Sequence, residues 1–283
     1  MLTCLVSANC QGIPLIRQFY EFEPFARSYS VQYYVNFKRQ IIPLERLQTC
    51  NILIYQKLGL SWGELSEEYL LTHVNPKAKV ICMPNIFNKT LWPISKETGD
   101  LSSPYTETYI DALMERNLSL EEILYLVKKV DFAEHYDLAD MYKKSMEIER
   151  QKGYAHCQEI CDYIEENFSK KLLFTTFNHP YGTLLNMAAK AVLEEIGYRA
   201  VPDVLIPDIT CNDEYYMPVH PSVAKFFHLP FIDETTKFPV YGNMLTYYEY
   251  IAGYVTARRN NFPLAPYFTY LSEKNTQNPA LRS

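Results

Sequence analysis

The chain opens with an apolar run, Leu2 to Val6, that breaks at Ser7-Ala8-Asn9-Cys10-Gln11-Gly12 and passes at once into an amphipathic stretch beginning Ile13-Pro14-Leu15-Ile16. A buried strand, a tight turn and a helix in that order commit the N-terminus to the first unit of an α/β sheet. Further strand-like runs follow at Val31–Val35, Asn51–Tyr55 and Lys79–Met83, the last ended by Pro84, with helix-like runs at 12–22, 44–49 and 63–72 between them. The βαβα order predicts a parallel sheet with right-handed crossovers.

From Tyr105 to Phe168 strand-forming runs give way to helical periodicity, including a capping-box signature at Ser119-Leu120-Glu121-Glu122. This block is expected to be a helical insertion, 105–168, between a first part of the core, 1–104, and a remainder, 169–271. The sheet is expected to resume with a strand at Lys171–Thr176, the turn Asn178-His179-Pro180 and a long helix, 181–196, closed by Gly197. Residues 201–238 are rich in proline and predict loops. Residues 242–259 predict a C-terminal helix, and the polar tail, 272–283, is expected to fray.

The 283 residues suffice for one large core or two modest ones. A net charge of −6 without a Lys/Arg cluster argues against nucleic acid as a partner. No apolar run reaches the roughly 18–20 residues of a bilayer span, and the N-terminus lacks the basic flank of a signal peptide. Seven scattered cysteines without a CxxC suit a reducing, cytoplasmic compartment. Cys157 and Cys161 lie one helical turn apart beside His156, but no second half-site completes a metal centre, and none is expected. Self-association is left open.

Each predicted strand ends in a turn bearing polar side chains: Asn9-Cys10-Gln11, Gln56, Pro84-Asn85 and Asn178-His179-Pro180. In a parallel sheet such turns share the carboxyl edge, where ligands collect. A thiol, an imidazole and several amides make up the inventory of an acyl-transfer site. Cys10, just before a helix, is the candidate nucleophile; a small thiol packing its turn is the competing reading. His179 is the candidate base, with Pro180 in the first helical turn and the helix dipole keeping the ring neutral; a histidine capping its own helix is the alternative. Asn9, Gln11, Gln56, Asn85 and Asn178 are candidate oxyanion or substrate contacts, against the ordinary use of turn amides on local backbone. Arg17, Arg258 and Arg259 are candidate phosphate contacts, and His220-Pro221 lies in the proline-rich stretch with its reach undecided. With nine glycines and no GxGxxG, GxxxxGK[ST] or GxSxG, no glycine-rich phosphate loop is expected.

SANCQG after the first strand, NILIYQ ending the third, KVICMPNIF after the fourth and FNHPYGTLL opening a late helix together resemble the WcbI-like family of bacterial capsule and surface-polysaccharide biosynthesis proteins, over roughly residues 1–260. The resemblance implies a three-layer α/β core similar to SGNH hydrolases, or flavodoxin-like. It also implies acetyl transfer from acetyl-coenzyme A to a sugar hydroxyl of a glycan acceptor. Cys10 then takes the place of the serine in the first SGNH block and His179 that of the late histidine. Two positions depart from the pattern: Thr176 stands where an acid precedes the histidine by three residues, and the Gly-x-Asn-Asp block has no counterpart, with Gln56 nearest to it. An intact hydrolase triad is therefore absent, which favours a Cys–His dyad or a ternary-complex transferase. A glycan esterase or deacetylase and a non-catalytic sugar- or nucleotide-binding module are the alternatives.

Overall fold

The computed structural model describes residues 1–277. The chain runs β1 (Leu2–Ala8), α1 (Gly12–Glu21), α2 (Glu23–Ser28), β2 (Tyr29–Val35), α3 (Leu44–Thr49), β3 (Ile52–Tyr55), α4 (Glu67–His73) and β4 (Lys79–Cys82). Then come β5 (Ser95–Glu97), β6 (Tyr105–Glu107), α5 (Thr108–Glu115), α6 (Leu120–Lys129), α7 (Leu138–Arg150) and α8 (Cys157–Asn167). The last third holds β7 (Phe174–Thr176), β8 (His179–Pro180), α9 (Thr183–Ile196), α10 (Pro221–Phe226), β9 (Phe238–Val240), β10 (Asn243–Leu245), α11 (Tyr247–Arg259) and α12 (Leu264–Gln277).

Two compact units share these elements. The first comprises Met1–Phe87, Met146–Phe168 and Asn178–Cys211; the second comprises Asn88–Ser145, Ser169–Phe177 and Asn212–Ser283. The helical block 105–168 is divided between them within α7. Gly153, with φ +65°, separates α7 from α8.

The first unit is α/β. Its sheet is parallel throughout, in the order β2-β1-β3-β4. Strand β1 is central and buried along its length from Cys4, so it is continuously apolar rather than alternating. On one face Leu5, Leu53 and Tyr55 pack with Leu47 of α3 and Leu70 of α4. The other face, carrying Val6, Ile54 and Ile81 in register, is covered by α1 and α9. Chain growth reverses between β1 and β3, so the carboxyl ends of those two strands form the topological switch point, where ligands collect in open α/β sheets.

Several expectations are corrected. The sheet does not resume at 171–176: β7 spans only Phe174–Thr176 and is not one of the four parallel strands. The helix expected over 63–72 begins at Glu67, because Gly63 has φ +59° and Ser66 caps α4 by accepting from Tyr69 N. The loop stretch 201–238 contains α10, and the helix expected from 242 begins at Tyr247 after the short strand β10. The tail is helical through Gln277; the rest of it, 278–283, lies outside the described residues.

The second unit is built from α5, α6, α10, α11 and α12 with the hairpins β5–β6 and β9–β10. Its core is aromatic: Tyr105, Tyr215, Tyr247, Tyr250, Tyr254 and Phe268 are all at most 5% exposed. The buried carboxylate Glu107 sits among them, accepting from Ser95 Oγ at 2.8 Å and Tyr250 Oη at 3.4 Å. Burial raises its pKa to about 7, Asp111 adding to the rise.

Candidate active site

The site grows from the turn after β1. Asn9 Oδ1 accepts the Gln11 N–H at 2.9 Å, and Gly12 N donates to Asn9 O at 2.9 Å, so the chain reverses within three residues and enters α1. Gly12 is required here. A Cβ on it would lie 2.6 Å from Tyr33 Cε2 and 3.0 Å from Ala8 Cβ. The Tyr33 ring reaches the turn from β2 and donates its hydroxyl to Asn9 O.

Gln56, at the end of β3 and 1% exposed, locks Asn9 from the neighbouring strand. Its Oε1 accepts from Asn9 N at 2.7 Å and from Asn36 Nδ2 at 3.1 Å; its Nε2 donates to Asn9 Oδ1 at 3.1 Å. The backbone N–H donors fix both amides in one orientation. Gln56 is spent on this lock, and Asn9 Oδ1 is doubly occupied. Nδ2 is what the half-buried Asn9 side chain has left to offer.

Gln11 is a strut. Its side chain, 2% exposed, donates from Nε2 to Ile86 O at 2.8 Å and to Asn178 O at 2.9 Å, and accepts from Ile86 N at 3.1 Å. The carboxamide expected to face an oxyanion is used instead to tie the turn after β1 to the segment after β4 and to the residue before His179. The segment after β4 is held in turn by Glu149, 1% exposed, which accepts from Phe87 N, Lys152 Nζ and Tyr154 Oη at 3.1, 2.6 and 2.6 Å. Lys152 Nζ also donates to Asn85 O at 2.5 Å. Asn85 therefore contributes its carbonyl to the frame, and its side chain stays half-buried.

The result of this bracing is one short distance: His179 Nε2 lies 3.1 Å from Cys10 Sγ, across 169 residues of sequence. His179 does not sit at the start of α9, as expected. It lies on β8, and the helix begins at Thr183 behind Gly182, whose φ of +51° turns the chain and whose N–H donates to Ile209 O. The ring is therefore not at the helix N-cap, the position from which the dipole was expected to set its state. Burial does so, lowering the pKa of His179 to about 4 and leaving a neutral imidazole at pH 7. Beside it, Cys211 follows the bridge between Tyr181 and Thr210 and approaches Pro180 O at 3.9 Å. Burial, then the neighbouring Cys10, push its thiol pKa up.

The remaining candidates are placed elsewhere. Arg17 is exposed on α1 and makes no ion pair among the described residues. Arg258 and Arg259 belong to the second unit, where Arg258 Nε lies 3.6 Å from Asp111 and Arg259 donates to Leu118 O. His220, in the same unit, caps α10. Thr176, at the position of the missing acid, is fully buried and its hydroxyl accepts from Tyr105 Oη at 3.0 Å. No group of three metal-binding side chains is assembled among the described residues, and no described helix is long and apolar enough to cross a membrane. Tyr33, Glu149, Lys152 and Cys211 were not singled out by the sequence. Only Lys152 and Glu149, an acid and a base three apart in a helical run, carried a local signal.

Residues 3–201 match the family described as "Polysaccharide biosynthesis enzyme WcbI". No curated protein matches. A solved structure of WcbI aligns with a TM-score of 0.74 and 15% identity, covering 98% of this chain and 96% of that one. That structure is described as native protein without a disulfide bond between coenzyme A and one of its cysteines. At this identity the likeness establishes the shared fold, and the family match, spanning well over half of the sequence, establishes kinship: the chain belongs to the WcbI family of polysaccharide biosynthesis enzymes.

Proposed function

We propose that this protein transfers an acetyl group from acetyl-coenzyme A to a sugar hydroxyl during assembly of a surface, capsular-type polysaccharide. The observation that carries the reading is the 3.1 Å approach of Cys10 Sγ to a neutral His179 ring at the carboxyl edge of the sheet. Family membership supports the polysaccharide, and the solved relative, described in terms of coenzyme A and a cysteine, supports the donor.

In this reading His179 Nε2 takes the proton of Cys10, and the thiolate attacks the carbonyl carbon of the acetyl thioester. The carbonyl oxygen gains charge and accepts from Asn9 Nδ2. The intermediate collapses, the coenzyme A thiolate leaves with the imidazolium proton, and the acetyl group rests on Cys10. Thioester is exchanged for thioester, so this half-reaction is close to balanced. The acceptor hydroxyl then gives its proton to His179 and attacks the acetyl carbon; the oxygen ester forms and the Cys10 thiol is restored. Gln11, Gln56 and Asn178 act by holding this geometry, and Asn85 lines the same edge. The donor's phosphates fall to basic side chains, of which Arg17 on α1 is the candidate in the first unit. Use of acetyl-coenzyme A as donor supports a cytoplasmic location.

Incubation with radiolabelled acetyl-coenzyme A tests the scheme. The expected result is a labelled chain, absent in Cys10→Ala, that is discharged by a glycan acceptor with ping-pong kinetics. Full turnover by both Cys10→Ala and Cys10→Ser refutes the covalent route. Release of acetate at the same rate with and without glycan identifies a hydrolase instead.

A further inference from the structure

The second unit carries a tight two-residue hairpin. Between β9 and β10 the chain turns through Tyr241 and Gly242, with φ of +47° and +82°. A left-handed tyrosine is strained and persists only where its surroundings insist on it. Here they do. Tyr241 N donates to Glu214 O at 2.6 Å. Asn243 Nδ2 donates to the carbonyls of Val240, Tyr241 and Phe268 at 3.1, 3.3 and 2.7 Å. Ser272 Oγ donates to Gly242 O at 2.8 Å, and a Cβ at residue 242 would meet that oxygen at 2.6 Å. The Tyr241 ring stacks on the buried Tyr215 at 5.1 Å and 20°.

This rigid ring borders an open groove of about 620 Å³. Its walls include Tyr270 and Leu101, which are 57% and 68% exposed, with Pro266, Glu214 and Glu273. The groove is shallow and open along its solvent side, unlike the enclosed clefts of most small-molecule sites. No lysine or arginine is among the described lining residues, so the groove is ill suited to phosphates or nucleotides. Two tyrosines and an apolar bed offer flat surface to C–H faces at little entropic cost, and two carboxylates accept from adjacent hydroxyls.

We infer that this groove binds a neutral oligosaccharide, independently of the Cys10–His179 pair. The identity of the ligand as a glycan leans on the functional reading above; the existence of the site does not. Maltopentaose, cellopentaose and chitopentaose serve as probes, titrated into the full chain carrying Cys10→Ala and followed by saturation-transfer NMR and tyrosine fluorescence. Binding of at least one is expected, weakened roughly tenfold or more by Tyr270→Ala, a substitution at an exposed ring. Failure of all three to bind, binding unaltered by Tyr270→Ala, or displacement by spermidine or by coenzyme A overturns the inference. Acetyl transfer by the wild-type chain is measured alongside. Glycan binding without transfer removes the acetyltransferase reading and leaves the groove standing. Transfer without binding in the groove does the reverse.

Discussion

His179 and His220 are followed by proline, and in both the ring pKa is lowered, chiefly by burial. They differ in what their nitrogens meet. His220 Nδ1 accepts the Ser222 N–H at 3.0 Å and so caps α10, with Pro221 as the first helical residue. That bond makes Nδ1 the acceptor and Nε2 the donor, and Nε2 gives its hydrogen to Val127 O at 3.0 Å. Phe132 and Tyr247 close on the ring edge-on at 4.6 and 4.8 Å. Backbone thus consumes both nitrogens of His220. His179 turns Nε2 to a thiol, a partner that can itself give up a proton. Burial and a depressed pKa are common to both rings; what separates them is the identity of their hydrogen-bond partners, and the proposed function rests on that difference.

The contrast is most exposed to test at the site. His179→Ala is expected to lower acetyl transfer by about 10³-fold, within the usual range for loss of a general base, with little change in melting temperature. His220→Ala is expected to do the opposite: a loss of about 3 kcal/mol in chemical denaturation, from a vacated aromatic pocket and two orphaned backbone groups, with turnover per folded molecule preserved. An exchange of these two phenotypes would reverse the assignment.

Titration extends the comparison to Glu107. Both imidazoles have lowered pKa values, so in the folded state they resist protonation that the unfolded chain accepts. Their effect is a loss of stability as the pH falls below about 6.5, complete for His179 only below about 4. The Glu107 carboxyl is shifted the other way, from 4.5 to about 7, so its effect is a loss of stability as the pH rises from about 4.5 through 7. Glu107→Gln should therefore remove about 2–3 kcal/mol of decline between pH 5 and 8 in urea melts. An unchanged slope would mean that the folded protein does not hold this carboxyl neutral. The smallest effect is expected of Gly12→Ala, about 1–2 kcal/mol from the clash with Tyr33, relieved in part by pairing it with Tyr33→Leu. If the double variant is no more stable than the single one, the ring is not what reserves that position for glycine.

Much of the first unit was legible because buried parallel strands announce themselves as short apolar runs, as at residues 4–6 and Ile52–Tyr55. Cys10 and Gln56 then fall at strand ends by simple succession. The role of a side-chain amide was not legible: Gln11, Gln56 and Asn9 look alike in a turn, and only the position of distant backbone tells which is strut, lock or donor. The two His-Pro pairs show the same limit. Proline suits both the first turn of a helix and a strand edge, so His220, in a stretch expected to be loop, caps a helix, while His179, expected near a helix N-terminus, lies on a strand three residues ahead of the Gly182 turn. In the second unit Tyr247, Tyr250 and Tyr254 recur at helical spacing on α11, but the partners of their hydroxyls were not legible: Tyr250 reaches Glu107, and Tyr254 reaches Thr106 and Asp111, each across more than 140 residues.

The strut formed by Gln11 also has a consequence for how the molecule is made. Its carboxamide waits for a carbonyl 167 positions downstream. At ribosomal speeds of about 5–20 residues per second, the N-terminal thiol leaves the ribosome roughly 10–30 s before its imidazole is synthesised. During that interval the turn after β1 lacks the distant carbonyl that braces it, so the frame around Cys10 closes only late in synthesis.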